Sequence, residues 1–263
     1  MFLKAPLHVA ILSLVLVSPL AAQEGAPTKE PPSKAPDAAT ASDAPPPVSS
    51  LKLDLARLKA WGTRVYEYRL QKGGEWKTLG KCTMKTEVAD DRITLSDNFD
   101  LEIEGAPFEV DTKVSGPLSG CLRPDSIEAE GTTDDRDGKK FKSTATLDAK
   151  GMNTGKRERP VPEESVTDAG LYRLLTLMPA RDGFSARFDG IIEVGELMVK
   201  GGSVIRYEGK SQPPQAKEGA SLDKFSVTSA TDRGDPWLQV WLDDKGQLDQ
   251  ALLDGRKLLV AAK

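Results

Sequence analysis

Histidine is almost missing from this sequence. Of 263 residues only His8 is a histidine, and it lies in residues 1–22, which read as a secretory signal peptide. Lys4 gives the positive start, residues 9–17 form an apolar run broken only by Ser13, and cleavage is expected near Ala22. The mature chain would then have no imidazole. That excludes Ser-His-Asp and Cys-His nucleophilic catalysis, and any zinc site that needs a His ligand. Losing Lys4 with the signal takes the net charge from −4 to −5. Export to the periplasm or the extracellular space is the localisation this pattern implies.

Cysteine is scarce as well. Cys82 and Cys121 are the only two, too few for a four-thiolate metal site and not spaced as a C-x-x-C redox pair. In an exported chain an even count predicts a Cys82–Cys121 disulfide. Such a bond would constrain the unfolded chain by roughly 3–4 kcal/mol. The alternative is two buried free thiols.

Long apolar runs are absent after the first, and that one is shorter than the about 20 residues of a membrane span. No transmembrane span is expected. Basic clustering is also absent: 36 Lys and Arg are spread among 40 Asp and Glu, which argues against nucleic acid as a partner. No phosphate loop exists, because Gly131 and Gly138 are wrongly spaced and Lys139 is followed by Lys140. Residues 133–138 match three positions of a calcium loop with Asp135, Asp137 and Gly138. Thr133 and Thr144 stand at its first and twelfth positions, so a plain acidic turn is the better account. Neither a metal nor a cofactor is expected.

What is present divides into three parts. After the signal, residues 23–50 hold seven prolines and one large aliphatic residue, Val48, and read as a disordered spacer. Residues 51–263 read as a single β-rich domain. From Arg64 the apolar period is two: Tyr66, Tyr68 and Leu70 share a face, as do Trp76, Cys82, Met84 and Val88 in the next strand, with Lys77, Lys81 and Lys85 opposite. Gly73-Gly74 makes the turn between them. Similar alternation recurs to the C-terminus, with a hairpin about Gly201-Gly202 and turns at 243–246 and 254–255. One stretch breaks the pattern. In residues 166–179, Leu171, Leu174, Leu175 and Met178 follow helical spacing, Thr167 is placed to cap, and Pro179 stops the run. The expected fold is mainly β, an antiparallel meander forming a half-barrel or barrel covered by this short helix.

Carboxylates on regular strands, such as Glu102, Glu104, Glu109 and Asp111, alternate with apolar residues and face solvent. Glu193 and Glu196 are less regular, but nothing in the sequence pairs them. No catalytic constellation emerges, and a non-enzymatic role is expected. The candidate ligand-lining residues are aromatic. Trp237 and Trp241 share a strand face opposite Leu238, Val240 and Leu242, so both faces of that strand need cover. Tyr66, Tyr68 and Trp76 are placed to line the same concavity.

The order of elements, with LYRLLTLMP ending the helix and WLQVWLDDKGQLDQALLDG near the C-terminus, resembles exported bacterial β-rich proteins of the lipoprotein-carrier type over roughly residues 62–260. The resemblance implies a curved half-barrel under a helix, with lipid or a lipid-linked group in the concavity. It carries over no binding residue, and the two cysteines are not part of its pattern. The resulting expectation is an exported protein that binds an apolar or lipid-like ligand. A structural or protein-interaction module of the envelope, tethered by residues 23–50, is the alternative. A carboxylate-based hydrolase is the third; it requires two convergent buried carboxylates.

Overall fold

The structure, a computed structural model, describes residues 44–132, 140–231 and 234–262. Residues 1–22, read above as a signal peptide and holding His8, most of the expected spacer and the acidic turn expected at 133–138 lie outside the described residues. Strand alternation produces the expected meander: β1 (Gly62–Lys72), β2 (Glu75–Ala89), β3 (Arg92–Ile103), β4 (Ala106–Pro117), β5 (Ser126–Thr132) and β6 (Lys140–Leu147). Three short strands follow, β7 (Met152–Asn153), β8 (Glu158–Arg159) and β9 (Ser165–Thr167), and then α1 (Asp168–Leu175). The chain continues through β10 (Ser185–Glu193), β11 (Met198–Ser211), β12 (Leu222–Ser229), β13 (Leu238–Leu242), β14 (Leu248–Leu253) and β15 (Lys257–Ala261).

All fifteen strands belong to one sheet, ordered β8-β7-β6-β5-β4-β3-β2-β1-β15-β14-β13-β12-β11-β10-β9. β1 pairs with β15, and every pairing between these strands is antiparallel except β9 with β10. The two ends of the sheet, β8 and β9, are consecutive in the chain. The five residues between them span at most about 20 Å, so the sheet curls back toward itself as an open barrel. Pro160 and Pro162 lie in that link and have no N–H to donate, which opposes a regular ladder across the seam.

α1 lies inside the curl, and all eight of its residues are buried. The Thr167 hydroxyl accepts the Gly170 N–H at 2.9 Å, which is the expected cap. Gly170 suits that start: a Cβ there would lie 3.0 Å from Thr167 Oγ1 and 3.2 Å from Val166 Cγ2. Tighter i→i+3 bonds carry the turn on, the last from Met178 N–H to Leu175 O at 3.2 Å, just before Pro179. Leu171, Leu174, Leu175 and Met178 join one large core with residues from both halves of the sheet. A smaller cluster of Leu101, Phe108 and Val110 fills the far end of β3 and β4.

Three expectations are corrected. Cys82 and Cys121 form no disulfide; both are buried free thiols. Cys82 sits in the middle of β2 opposite Phe99 and Tyr66. Cys121 follows the corner where Leu118 N–H bonds Asp91 O, and its thiol donates to Ser165 O at 3.2 Å. Seven residues of β2 separate Cys82 from that corner, roughly 20 Å at strand rise and far beyond disulfide reach. The spacer, expected to run free through Ser50, is docked by its last residues. Arg187 N–H donates to Pro46 O at 2.9 Å, Ser49 N–H to Glu164 Oε2 at 3.2 Å, and Val48 is 0% exposed. Its one large aliphatic side chain, Val48, joins the main core, and these hydrogen bonds hold the segment beside it. Finally, the hairpin joining β10 and β11 turns at residues 194–197, and Gly201-Gly202 lie within β11. A Cβ at Gly202 would lie 2.6 Å from Phe188 O, so glycine permits a close strand approach here.

Candidate functional site

Two cavities adjoin α1. The smaller, about 30 Å³, lies between the two core clusters and is lined by Tyr68, Asp97, Phe99, Tyr172 and Lys257 among others. It has room for about one water. The larger, about 270 Å³, is walled by Ile191, Trp237 and Leu253 on its apolar side and by Asp168, Glu193, Lys200, Ser203 and Asp254 among its polar groups. Lys200, Gly201, Thr231 and Asp254 are exposed, so this cavity opens to solvent at one side. Asp168 and Leu253 line both spaces.

Asp168 is placed by the first turn of α1, directly after the capping Thr167. Its Oδ1 accepts the Ala169 N–H at 2.8 Å, and both oxygens accept the Val194 N–H at 3.4 Å. Burial pushes its pKa up from the usual 3.8 to about 7; the two backbone donors oppose this, while the charges of Glu193 and Asp97 add to it. Glu193, at the end of β10, is ion-paired through Oε1 with Lys200 Nζ at 2.5 Å. Asp254 faces Lys257 Nζ at 3.6 Å, and burial lowers the pKa of that lysine. Among the described residues no group of three or more His, Cys, Asp or Glu is arranged to hold a metal ion. No helix among them is long and apolar enough to cross a membrane.

The five aromatic candidates are dispersed. Trp237 lines the larger cavity and donates its indole N–H to Ser203 Oγ at 3.4 Å. Tyr68 lines the smaller cavity and packs edge-on against Phe99 at 6.5 Å. Tyr66 is wholly buried, with its hydroxyl on Leu248 O at 3.4 Å. Trp76 is half-buried beside Gln71 at the tip of the β1–β2 hairpin and lines neither cavity. Trp241 points away from the core that Leu238, Val240 and Leu242 join; its indole N–H donates to Ser211 Oγ at 2.9 Å, and Lys224 Nζ lies 5.4 Å from its ring centroid. Strand periodicity found Trp237 and missed Asp168, Glu193, Lys200, Asp254 and Lys257. Asp168 carried a signal as the anion in the first turn of the helix, and Glu193 as a carboxylate off the regular strand pattern, but neither position says anything of a cavity.

No protein-family model and no curated protein matches the sequence. Among solved structures, the fold is similar to a β-barrel-like protein of domain of unknown function DUF1849 from Brucella abortus, with a TM-score of 0.50 at 12% identity, over 76% of this chain and 95% of that one. A DUF1089-family protein from Pseudomonas aeruginosa matches with a TM-score of 0.40 at 12% identity, over 68% of this chain and 93% of that one. At this identity the likeness to the Brucella protein is one of fold alone: the chain is a β-barrel-like protein.

Proposed function

We propose that this chain is an exported, non-enzymatic protein that binds a small amphipathic ligand in the 270 Å³ cavity. The cavity itself carries the reading, because it is concave and sets a tryptophan and two aliphatic side chains against a wall that is otherwise mostly polar and charged, a division that suits an amphipathic ligand. Its size falls just below the about 300–1,000 Å³ of common ligand pockets, which favours a small molecule. Leu171, Leu174, Leu175 and Met178 occupy the space in which the lipoprotein-carrier resemblance would put an acyl chain. A lipid-like ligand would therefore enter by its polar end. Export, to the periplasm or beyond the cell, rests on the pattern of residues 1–22.

The test is a fragment titration followed by the indole N–H resonance of Trp237, with a Ser203→Trp variant that plugs the cavity. Saturable shifts of that resonance with small amphipathic fragments, lost in the variant, are expected. No shift at millimolar concentrations would overturn the reading.

One observation favours a second reading. Asp168 and Glu193 are buried carboxylates on one cavity, the first held toward its neutral form and the second ion-paired. Such asymmetry suits a general acid and a base. Turnover of chromogenic glycosides that disappears in Asp168→Asn would favour hydrolysis over binding.

A further inference from the structure

We infer that the ligand's polar end is a cation of the alkylammonium class, held by the Asp168 carboxylate beside Trp237. This rests on the binding reading above and names the chemistry of its ligand. Three carboxylates, Asp168, Glu193 and Asp254, line the cavity against one lysine, Lys200. Two of the three already face a cation: Glu193 has Lys200, and Asp254 has Lys257. Asp168 differs. Among the described residues its side chain accepts only from backbone N–H groups, one at 2.8 Å and the other at 3.4 Å. A carboxylate has about four lone-pair sites, so acceptor capacity is left over. The residue is only 9% exposed, yet it borders the cavity. A buried acceptor with spare capacity beside an open space is completed by a donor that enters that space, and a charged N–H donor makes the stronger hydrogen bond.

The rest of the wall fits the same ligand. Trp237 offers an aromatic surface, which attracts ammonium groups. Ile191 and Leu253 offer apolar contact for a short alkyl stem. An anionic ligand would meet Asp168 with Lys200 already engaged by Glu193. The charged and titratable groups around Asp168 are Glu193 from β10, Lys200 from β11, Asp254 from the turn after β14, Lys257 from β15, Tyr68 from β1, Asp97 from β3, and Tyr172 and Arg173 on its own helix. Arg173 is committed to Asp97. A bound cation would favour the ionised form of Asp168, so its affinity should rise with pH through neutrality.

The experiment is calorimetric titration of the full chain with three probes of one shape: hexylammonium, hexan-1-ol and hexanoate. At about pH 8 hexylammonium is expected to bind at least about tenfold more tightly than the other two. Its affinity should fall severalfold at about pH 5.5, where Asp168 is protonated, and that of hexanol should not. Asp168→Asn should remove the preference for hexylammonium over hexanol, read as the ratio of the two affinities in the same variant. The wild-type probe series stands even if that variant fails to fold. Equal binding of hexanol and hexylammonium, or tighter binding of hexanoate, would overturn the cation inference and leave the cavity reading in place. Binding of none of the three would overturn both.

Discussion

Arg173 brings a guanidinium into the interior at 0% exposure, and all of its N–H donors find acceptors. Nε reaches Thr86 Oγ1 at 3.3 Å; Nη1 reaches Asp97 Oδ2 at 3.0 Å and Ala169 O at 2.9 Å; Nη2 reaches Lys85 O at 3.3 Å and Asp97 Oδ1. Its Cζ also lies 5.5 Å from the Trp61 ring centroid. The pair ties α1 to β2 and β3. Asp97→Asn removes the counter-charge and leaves the guanidinium buried, which should cost about 3–5 kcal/mol in urea denaturation. Replacing both partners with apolar residues of similar volume should recover much of that. Asp168 behaves in the opposite sense. Its pKa is about 7 when folded against 3.8 ordinarily, so its contribution to stability is complete below about pH 4 and is lost as pH rises through 7. Asp168→Asn has no charge to bury. It should be more stable than the wild type at pH 8 by about 2–4 kcal/mol, with the gap closing toward pH 4. Denaturation midpoints across that range check this, and a pH-independent difference would contradict it. Neither role is legible from the residues alone. Arg173 and Asp168 look like ordinary helix surface charges until it is known that the helix has no surface.

At the scale of the element, α1 is the part that local chemistry specifies best. Thr167 caps its start as spacing predicts, whereas α1 ends at Leu175, short of Pro179, with tighter turns between, and it is buried on every side instead of on the leucine face alone. Thr167→Ala should cost about 1 kcal/mol, seen as a lower urea midpoint at unchanged slope. The strands were legible for a similar reason: β2 exposes Lys77, Lys81 and Lys85 and buries Cys82, Met84 and Thr86, as a period of two requires. The turn between β10 and β11 was not. Gly201-Gly202 carry turn chemistry but serve close strand contact, and a glycine pair looks the same in either use.

At the scale of the whole molecule, a single sheet runs from the seam at β8 around to β9, and residues 46–49 help to cover its edge. Pro47 bridges to Arg187 of β10, beyond the part of that strand which β9 pairs. Val48→Asp would place a charge where 0% of the side chain is exposed. The segment should detach while the barrel stays folded, with faster tryptic cleavage at Lys52 and an unchanged near-ultraviolet spectrum. Loss of the whole tertiary signal would mean instead that the segment is integral to the core.

The sequence by itself determined the strand alternation, α1 and its cap, and the absence of imidazole from the described residues, because each depends on residue type and local spacing. Tertiary structure decided which residues meet. Asp168 and Trp237 are 69 positions apart, and only the curl of the sheet sets them on one cavity. It also put every face of α1 in the dark and kept Cys82 away from Cys121. Long-range proximity comes from strand order and closure, which no local pattern of residues encodes.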